Sequence, residues 1–409
     1  MPELPERPAA DPGGRGPDVF APARLGPVRL RNRVIKAATF EGATPDALVT
    51  EDLIEYHLRV ARGGVGMTTV AYLAVAPEGR TDRHQIHLRE QALPGLRRLT
   101  DAVHAEGAAV AAQLGHAGPV ANGRSNQARA LSASRMPSPL SMQMVRAADE
   151  SDIARVTADY VSGARLAVRA GFDCLELHMG HNYLLSAFLS PLLNRRRDRW
   201  GGSLDNRARL ARQVATAVRD SVGGDVAVTA KISMSDGARG GFGIEECLRL
   251  GEMLQEDGTL DALELSAGSS LMNPMYLFRG GAPRREFAAA MPFPVSVGMR
   301  VFGRRFLRGY PFEEAYLLPY ARRLRSALDM PLILLGGINR RDTMEQAMAE
   351  GFEYVAMARA LLREPDLVNR MRQGETVAGL CTHSNACMPT IYSGTRCPLV
   401  EEPTRRVAR

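Results

Sequence analysis

Lysine is almost missing from this 409-residue chain: of its 52 basic residues only Lys36 and Lys231 are lysines. The rest is arginine, spread along the chain and densest at Asn194–Arg199 (NRRRDR). The net charge of +7 is accompanied by no recognised nucleic-acid motif, so a nucleic-acid partner is not expected. No apolar run approaches the roughly 18 residues of a membrane span, so a membrane partner is not expected. The opening residues MPELPERPAADPGGRGPD have no apolar stretch. An ordinary signal peptide is therefore not expected there, and residues 1–18 are read as a disordered leader of a cytoplasmic protein. Cysteine is scarce: Cys174, Cys247, Cys381, Cys387 and Cys397 are too few for a disulfide scaffold and are expected to stay reduced.

What the chain does contain is alternation. β-Branched apolar runs are predicted as strands at Val34–Ala38, Val65–Val70, Ala108–Leu114, Phe172–His178, Val226–Ile232, Ala262–Ser266, Pro331–Leu335 and Glu353–Met357. Helical patterns lie near 50–62, 90–106, 150–170, 204–222, 243–258, 313–329, 340–350 and 365–373. Thr50 and Ser203 stand as N-caps, and Gly107, Gly171 and Gly351 follow helix ends. Eight strand–helix units match a single (β/α)8 TIM barrel of class α/β. A doubly wound sheet would need a Gly-rich turn after the first strand, and none follows Val34–Ala38. Long segments at 119–148 and 269–312 follow the third and sixth strands, on the side where barrels build their active sites. The second is read as a lid or substrate wall.

The chemistry concentrates at the strand ends. His178 closes the fourth strand, and His181 and Tyr183 follow in the loop. Two imidazoles can donate to one oxygen, and a phenol can deliver a proton. A metal site is the other reading of the histidines, but a third ligand of the usual kind is lacking nearby. Gln113 ends the third strand with an amide that offers both donor and acceptor. Lys231 ends the fifth strand, where a cation would stabilise an anionic reduced flavin. Lys36 carries no comparable argument. Gly336, Gly337, Ala358 and Arg359 follow the seventh and eighth strands, where barrels commonly hold phosphate.

Together these residues resemble the old yellow enzyme family over residues 19–375. The match includes Phe20-Ala21-Pro22, Leu25 to Val34, Gln113-Leu114-x-His116-Ala117-Gly118, and above all HMGHNYLLSAFLSPLLNRRRDRWGGSLDNRAR. The resemblance implies a noncovalent FMN over the barrel mouth and NADH or NADPH as reductant. It implies an activated-alkene substrate oriented by His178 and His181 and protonated by Tyr183. Gln113 would hold the flavin pyrimidine edge. Ala38, Thr39, Phe40 and Tyr72 would line the ring, and Gly336, Gly337, Ala358 and Arg359 would hold the phosphate. Phe40 stands where many members have Thr or Cys, Lys231 where Arg is usual, and Trp200 where Tyr is common. Larger relatives add an iron–sulfur cluster and an FAD-type domain. Here Ser384 replaces one expected cysteine beside Cys381, Cys387 and Cys397, so residues 376–409 are read as a degenerate tail with neither cluster nor FAD. The expected partner is a small molecule, with self-association into a homo-oligomer left open. Competing readings are the same flavin site run oxidatively, as in amine dehydrogenases or demethylases, a metal-dependent barrel lyase or isomerase, and a non-catalytic flavin binder.

Overall fold

The computed structural model describes residues 16–138, 141–291 and 295–400. Residues 1–15 of the expected leader and 401–409 of the tail lie outside them. Eight parallel strands close into a barrel in chain order: Val34–Lys36, Met67–Ala74, Ala109–Gly115, Cys174–Met179, Ala227–Ser233, Ala262–Ser266, Leu332–Leu335 and Tyr354–Met357. The eight crossover helices are Glu51–Arg62, Leu93–Ala105, Glu150–Arg169, Leu204–Val222, Ile244–Asp257, Leu318–Ala327, Arg341–Ala349 and Leu367–Gln373. The caps act as the sequence suggests. Thr50 and Ser203 accept from the backbone of Leu53 and Asn206, and Gly107, Gly171 and Gly351 take positive φ just past helix ends.

Strand periodicity sorts the side chains. Val110, Ala112 and Leu114 point outward into the core shared with Leu96, Leu99 and Val103. Ala111, Cys174, Ala227, Ala262, Ile333 and Ala356 point inward and pack around the axis. An antiparallel hairpin, Ala23–Leu25 with Val28–Leu30, adds Leu25 and Leu30 to this inner cluster and closes the N-terminal end. Its three-residue strands are too short to show alternation, so no strand was predicted there. Toward the C-terminal end the inward positions become polar: Gln113, Glu176, His178, Lys231, Ser233, Glu264 and Ser266 are all buried.

The two long segments have structure of their own. The one after the third strand carries a short helix, Gly123–Asn126, and small strands at Leu131–Ser132, Met136–Pro137 and Met144–Ala147. The one after the sixth strand carries helices Arg284–Ala290 and Val295–Phe306 around a satellite core of Met275, Phe287 and Leu307. Its base is tied by a bridge between Gly280 and Tyr310. The C-terminal tail returns over this segment. Asn385 donates to the Gly281 carbonyl at 2.8 Å, and Thr395 donates its backbone N–H to the Glu41 carbonyl at 2.7 Å.

Candidate active site

A layer of charge lies just below the barrel mouth. Alternation and register bring it together: Gln113 pairs with Glu176, and Lys231 with Glu264, in adjoining strands. The Gln113 amide donates to Glu176 Oε1 at 2.6 Å, and the Lys231 ammonium donates to the same oxygen at 3.0 Å. Lys231 also meets Glu264 Oε1 at 3.0 Å, without a well-angled hydrogen bond. Burial works against the Lys231 cation, but Glu176 and Glu264 more than offset it and its pKa rises. Burial and then repulsion from Glu176 push the Glu264 carboxyl up to about 8, against the pull of Lys231. At neutral pH the Glu264 carboxyl is therefore held mostly protonated.

Above this layer stand the three aromatic groups singled out in the sequence. His178 is 4% exposed, and its Nδ1 accepts from the Gly180 N–H at 3.3 Å. That contact puts the ring proton on Nε2. His181 and Asn182 both take left-handed backbone, with φ of 59° each, which turns the chain sharply after the strand. The turn is held by the His181 N–H donating to Ser233 Oγ at 3.0 Å and by His181 Nε2 meeting Ser266 Oγ at 2.8 Å. Asn182 anchors it from below by donating to Asp236 at 3.0 Å. The rings of His178 and His181 lie 5.1 Å apart, and those of His178 and Tyr183 lie 4.5 Å apart. Burial, then the neighbouring charge of His181 and Lys231, holds His178 well below its ordinary range. Burial and Lys231 bring His181 down to about 3. Both imidazoles are neutral at physiological pH. Burial moves Tyr183 in the opposite sense for an acid, upward, so its phenol stays protonated. The Tyr183 hydroxyl has no hydrogen-bond partner among the described residues.

The remaining expected positions are distributed around this centre. Tyr72 packs 5.2 Å from Tyr183, but its hydroxyl is turned away and donates to the Gly79 carbonyl at 2.9 Å. A register shift between Val70 and Leu73 aims it there. Ala38, Thr39 and Phe40 leave the first strand half-buried, and the Phe40 carbonyl accepts from the tail residue Thr395. Gly336 and Gly337 have φ of 111° and 79°. A Cβ on Gly337 would sit 2.6 Å from the Tyr316 ring, and one on Gly336 2.5 Å from Leu317. The backbone N–H groups of Gly337 and Arg359 find no acceptor among the described residues, which suits a phosphate. Ala358 caps the short helix that begins at Arg359. The Arg359 guanidinium is engaged by the Arg279 carbonyl at 2.9 Å and by Asn385. Cys381, Cys387 and Cys397 line one small pocket with Arg359 and Arg363. Among the described residues, no three His, Cys, Asp or Glu side chains are placed to hold a metal ion.

Several groups at the mouth were not singled out from the sequence: Glu176, Glu264, Ser233 and Ser266. Their signal was present, as polar residues two positions apart in otherwise apolar strands: Glu176 with His178, Lys231 with Ser233, and Glu264 with Ser266. Lys36, read from the sequence as incidental, is 1% exposed, with its ammonium 4.9 Å over the Tyr56 ring and no hydrogen-bond partner. Burial lowers its pKa to about 8.

Comparison with known proteins agrees with this geometry. The model of the NADH:flavin oxidoreductase / NADH oxidase family matches residues 18–266. A 4,4'-dithiodibutanoate disulfide reductase from Rhodococcus erythropolis is 56% identical over 93% of this chain and 94% of its own. A metal reductase from Desulforamulus reducens is 31% identical over 87% of this chain, which spans only 49% of that longer protein. The solved old yellow enzyme homologue from Zymomonas mobilis superposes with a TM-score of 0.72 at 22% identity, covering 94% of this chain and 98% of that one, a likeness of fold. The barrel, the His178–His181–Tyr183 cluster and the extent of these matches place the chain in the NADH:flavin oxidoreductase / NADH oxidase family, the old yellow enzyme fold.

Proposed function

We propose that this enzyme reduces activated, α,β-unsaturated alkenes with NADH or NADPH through a noncovalent FMN. The observation that carries the reading is the convergence of two neutral imidazoles and one protonated phenol at the barrel mouth. Bound FMN would supply the hydride-accepting and hydride-donating centre. The orphan N–H groups of Gly337 and Arg359 would hold its phosphate. Ala38, Thr39, Phe40 and Tyr72 would border its ring, and Gln113 its pyrimidine edge. The protein's own part is polarisation and proton delivery. His178 Nε2–H and the free nitrogen of His181 donate to the substrate's carbonyl oxygen, where negative charge builds as the alkene accepts hydride. Neutrality matters, because each ring must keep a donor without adding a buried charge. Tyr183, fixed against His178, donates its proton to the α-carbon.

A second substrate class is favoured by one observation, the 56% identity with a protein named for reducing 4,4'-dithiodibutanoate. The same site would then cleave an S–S bond with two electrons, giving two thiols, with Tyr183 protonating a leaving thiolate. In both readings FMN is the sole redox group. Three thiols and Ser384 stand where four thiolates are the normal set for a cluster. The test is a purified, air-stable preparation. Acid extraction should release FMN, with neither FAD nor iron and labile sulfide. Anaerobic NADPH oxidation should be supported by 2-cyclohexenone on the first reading and by 4,4'-dithiodibutanoate on the second. Failure of both oxidants with a reducible flavin would overturn both.

A further inference from the structure

The basic charge of the chain is not evenly placed. Residues 269–312 hold seven arginines and one glutamate, a net +6 within a chain of net +7. Most arginines on the barrel helices are matched by carboxylates among the described residues, Arg97, Arg165, Arg209 and Arg372 excepted: Arg62 with Glu106, Arg169 with Glu90 and Arg212 with Asp257 lie 2.6–2.9 Å apart. The lid is different. Arg284, Arg285, Arg300 and Arg304 face one groove of about 710 Å³ between the two lid helices, with Glu286 as its single carboxylate. Arg284 is fixed by donating to the Leu307 carbonyl at 3.0 Å. Arg285, Arg300 and Arg304 have no ion pair among the described residues. The groove is built on packed elements, since Phe287 and Leu307 are buried between the helices and Met299 and the tail residue Met388 pack against them. The root of the lid lies at the catalytic centre, where the Ser270 N–H donates to the His181 carbonyl at 3.1 Å.

Four guanidinium groups around one carboxylate leave a net positive groove, three of them exposed, and a multiply charged anion complements that charge. The volume falls in the range of small-molecule sites. Arginine forks suit phosphate oxygens. We propose that this groove is a phosphate-binding subsite for the adenosine-phosphate end of a ligand whose reactive end enters the mouth beside His178 and His181. This rests on the proposed reductase activity for the reactive end. Two sources share the chemistry: a 2'-phosphorylated nicotinamide reductant and a coenzyme A thioester oxidant.

The test uses the full-length holoenzyme, the double variant Arg300→Ala/Arg304→Ala, and Arg169→Ala/Arg199→Ala as a control that removes equal charge elsewhere. Calorimetry with adenosine 2',5'-bisphosphate and with coenzyme A reads binding without turnover. At low salt the lid variant should bind at least one probe about tenfold more weakly than wild type, the control should match wild type, and added salt should narrow the difference. If the reductant is the source, wild type should prefer NADPH over NADH in kcat/KM, and the lid variant should lose about tenfold of that preference. If a thioester is the source, coenzyme A binding should fall while the NADPH-to-NADH ratio stays fixed. Equal binding of both probes by wild type and lid variant, or an equal loss in the control, overturns the subsite. The calorimetric comparison remains readable if neither nicotinamide reduces the flavin, which would defeat the reductase reading alone.

Discussion

Replacing Lys231 by methionine isolates the charge layer beneath the mouth. The ammonium lies 3.0 Å from a carboxylate oxygen of Glu176 and of Glu264, and all three side chains are at most 4% exposed. At that separation, with an effective dielectric of about 20, Coulomb attraction is roughly 5–6 kcal/mol for each ionised partner. The Glu264 carboxyl, raised to about 8, is mostly protonated at neutral pH, so a single ionised partner counts there. Removing one member of a buried pair costs about 3–5 kcal/mol, and Lys231→Met is expected in that range near neutrality. Without the cation, the pull that opposes the rise of the Glu264 carboxyl is gone, so the folded variant keeps that carboxyl protonated to higher pH than wild type does. Its stability therefore goes on falling as pH rises past about 8, where wild type has already released the proton. The deficit should thus be smaller near pH 5 than near pH 9. Urea unfolding followed by far-UV circular dichroism, at both pH values and with FMN in fixed excess, measures it. A deficit under about 1 kcal/mol at both pH values, or one that grows on acidification, would refute the charge assignment.

Three further outcomes follow from the same geometry. Lys231→Met should also lower the flavin midpoint potential, because a cation near the ring favours the anionic reduced form; spectroelectrochemistry giving an unchanged value would remove that role. Glu264→Gln fixes the amide analogue of the protonated carboxyl. Since the wild-type pKa of about 8 lies above its unfolded value, wild type is penalised as pH climbs toward and through 8, and the variant is not. Melting temperatures of the two should diverge with rising pH, and parallel profiles would count against the raised pKa. Gly337→Ala places a Cβ 2.6 Å from Tyr316 at a φ of 79°, so it should cost about 1–3 kcal/mol and weaken FMN retention, read by flavin fluorescence during dialysis.

The barrel was legible because each strand buries both faces and reads as an apolar run, and because the helices carry caps. His178, His181 and Tyr183 were legible because their spacing follows a strand end. The N-terminal hairpin was not, since three residues are too few to show a period. The lid helices were obscured by Gly and Pro at 280–283 and 292–294. Glu176 and Glu264 were missed because a carboxylate inside a strand makes sense only once the barrel closes, which sets Glu264 in register with Lys231 and brings the Glu176 side chain within 3.0 Å of its ammonium. The arginine excess, read as spread along the chain and densest at Asn194–Arg199, gains meaning only when the paired helical arginines are separated from the unpaired groove arginines of the lid.

If Tyr183 serves the oxidant and not the reductant, anaerobic rapid mixing of Tyr183→Phe should affect only one half-reaction. Flavin reduction by NADPH needs no proton from the phenol and should keep its wild-type rate. Reoxidation by 2-cyclohexenone, or by 4,4'-dithiodibutanoate on the disulfide reading, should slow by roughly 10²–10⁴-fold. Reoxidation at the wild-type rate with both oxidants would show that the phenol is not the proton donor.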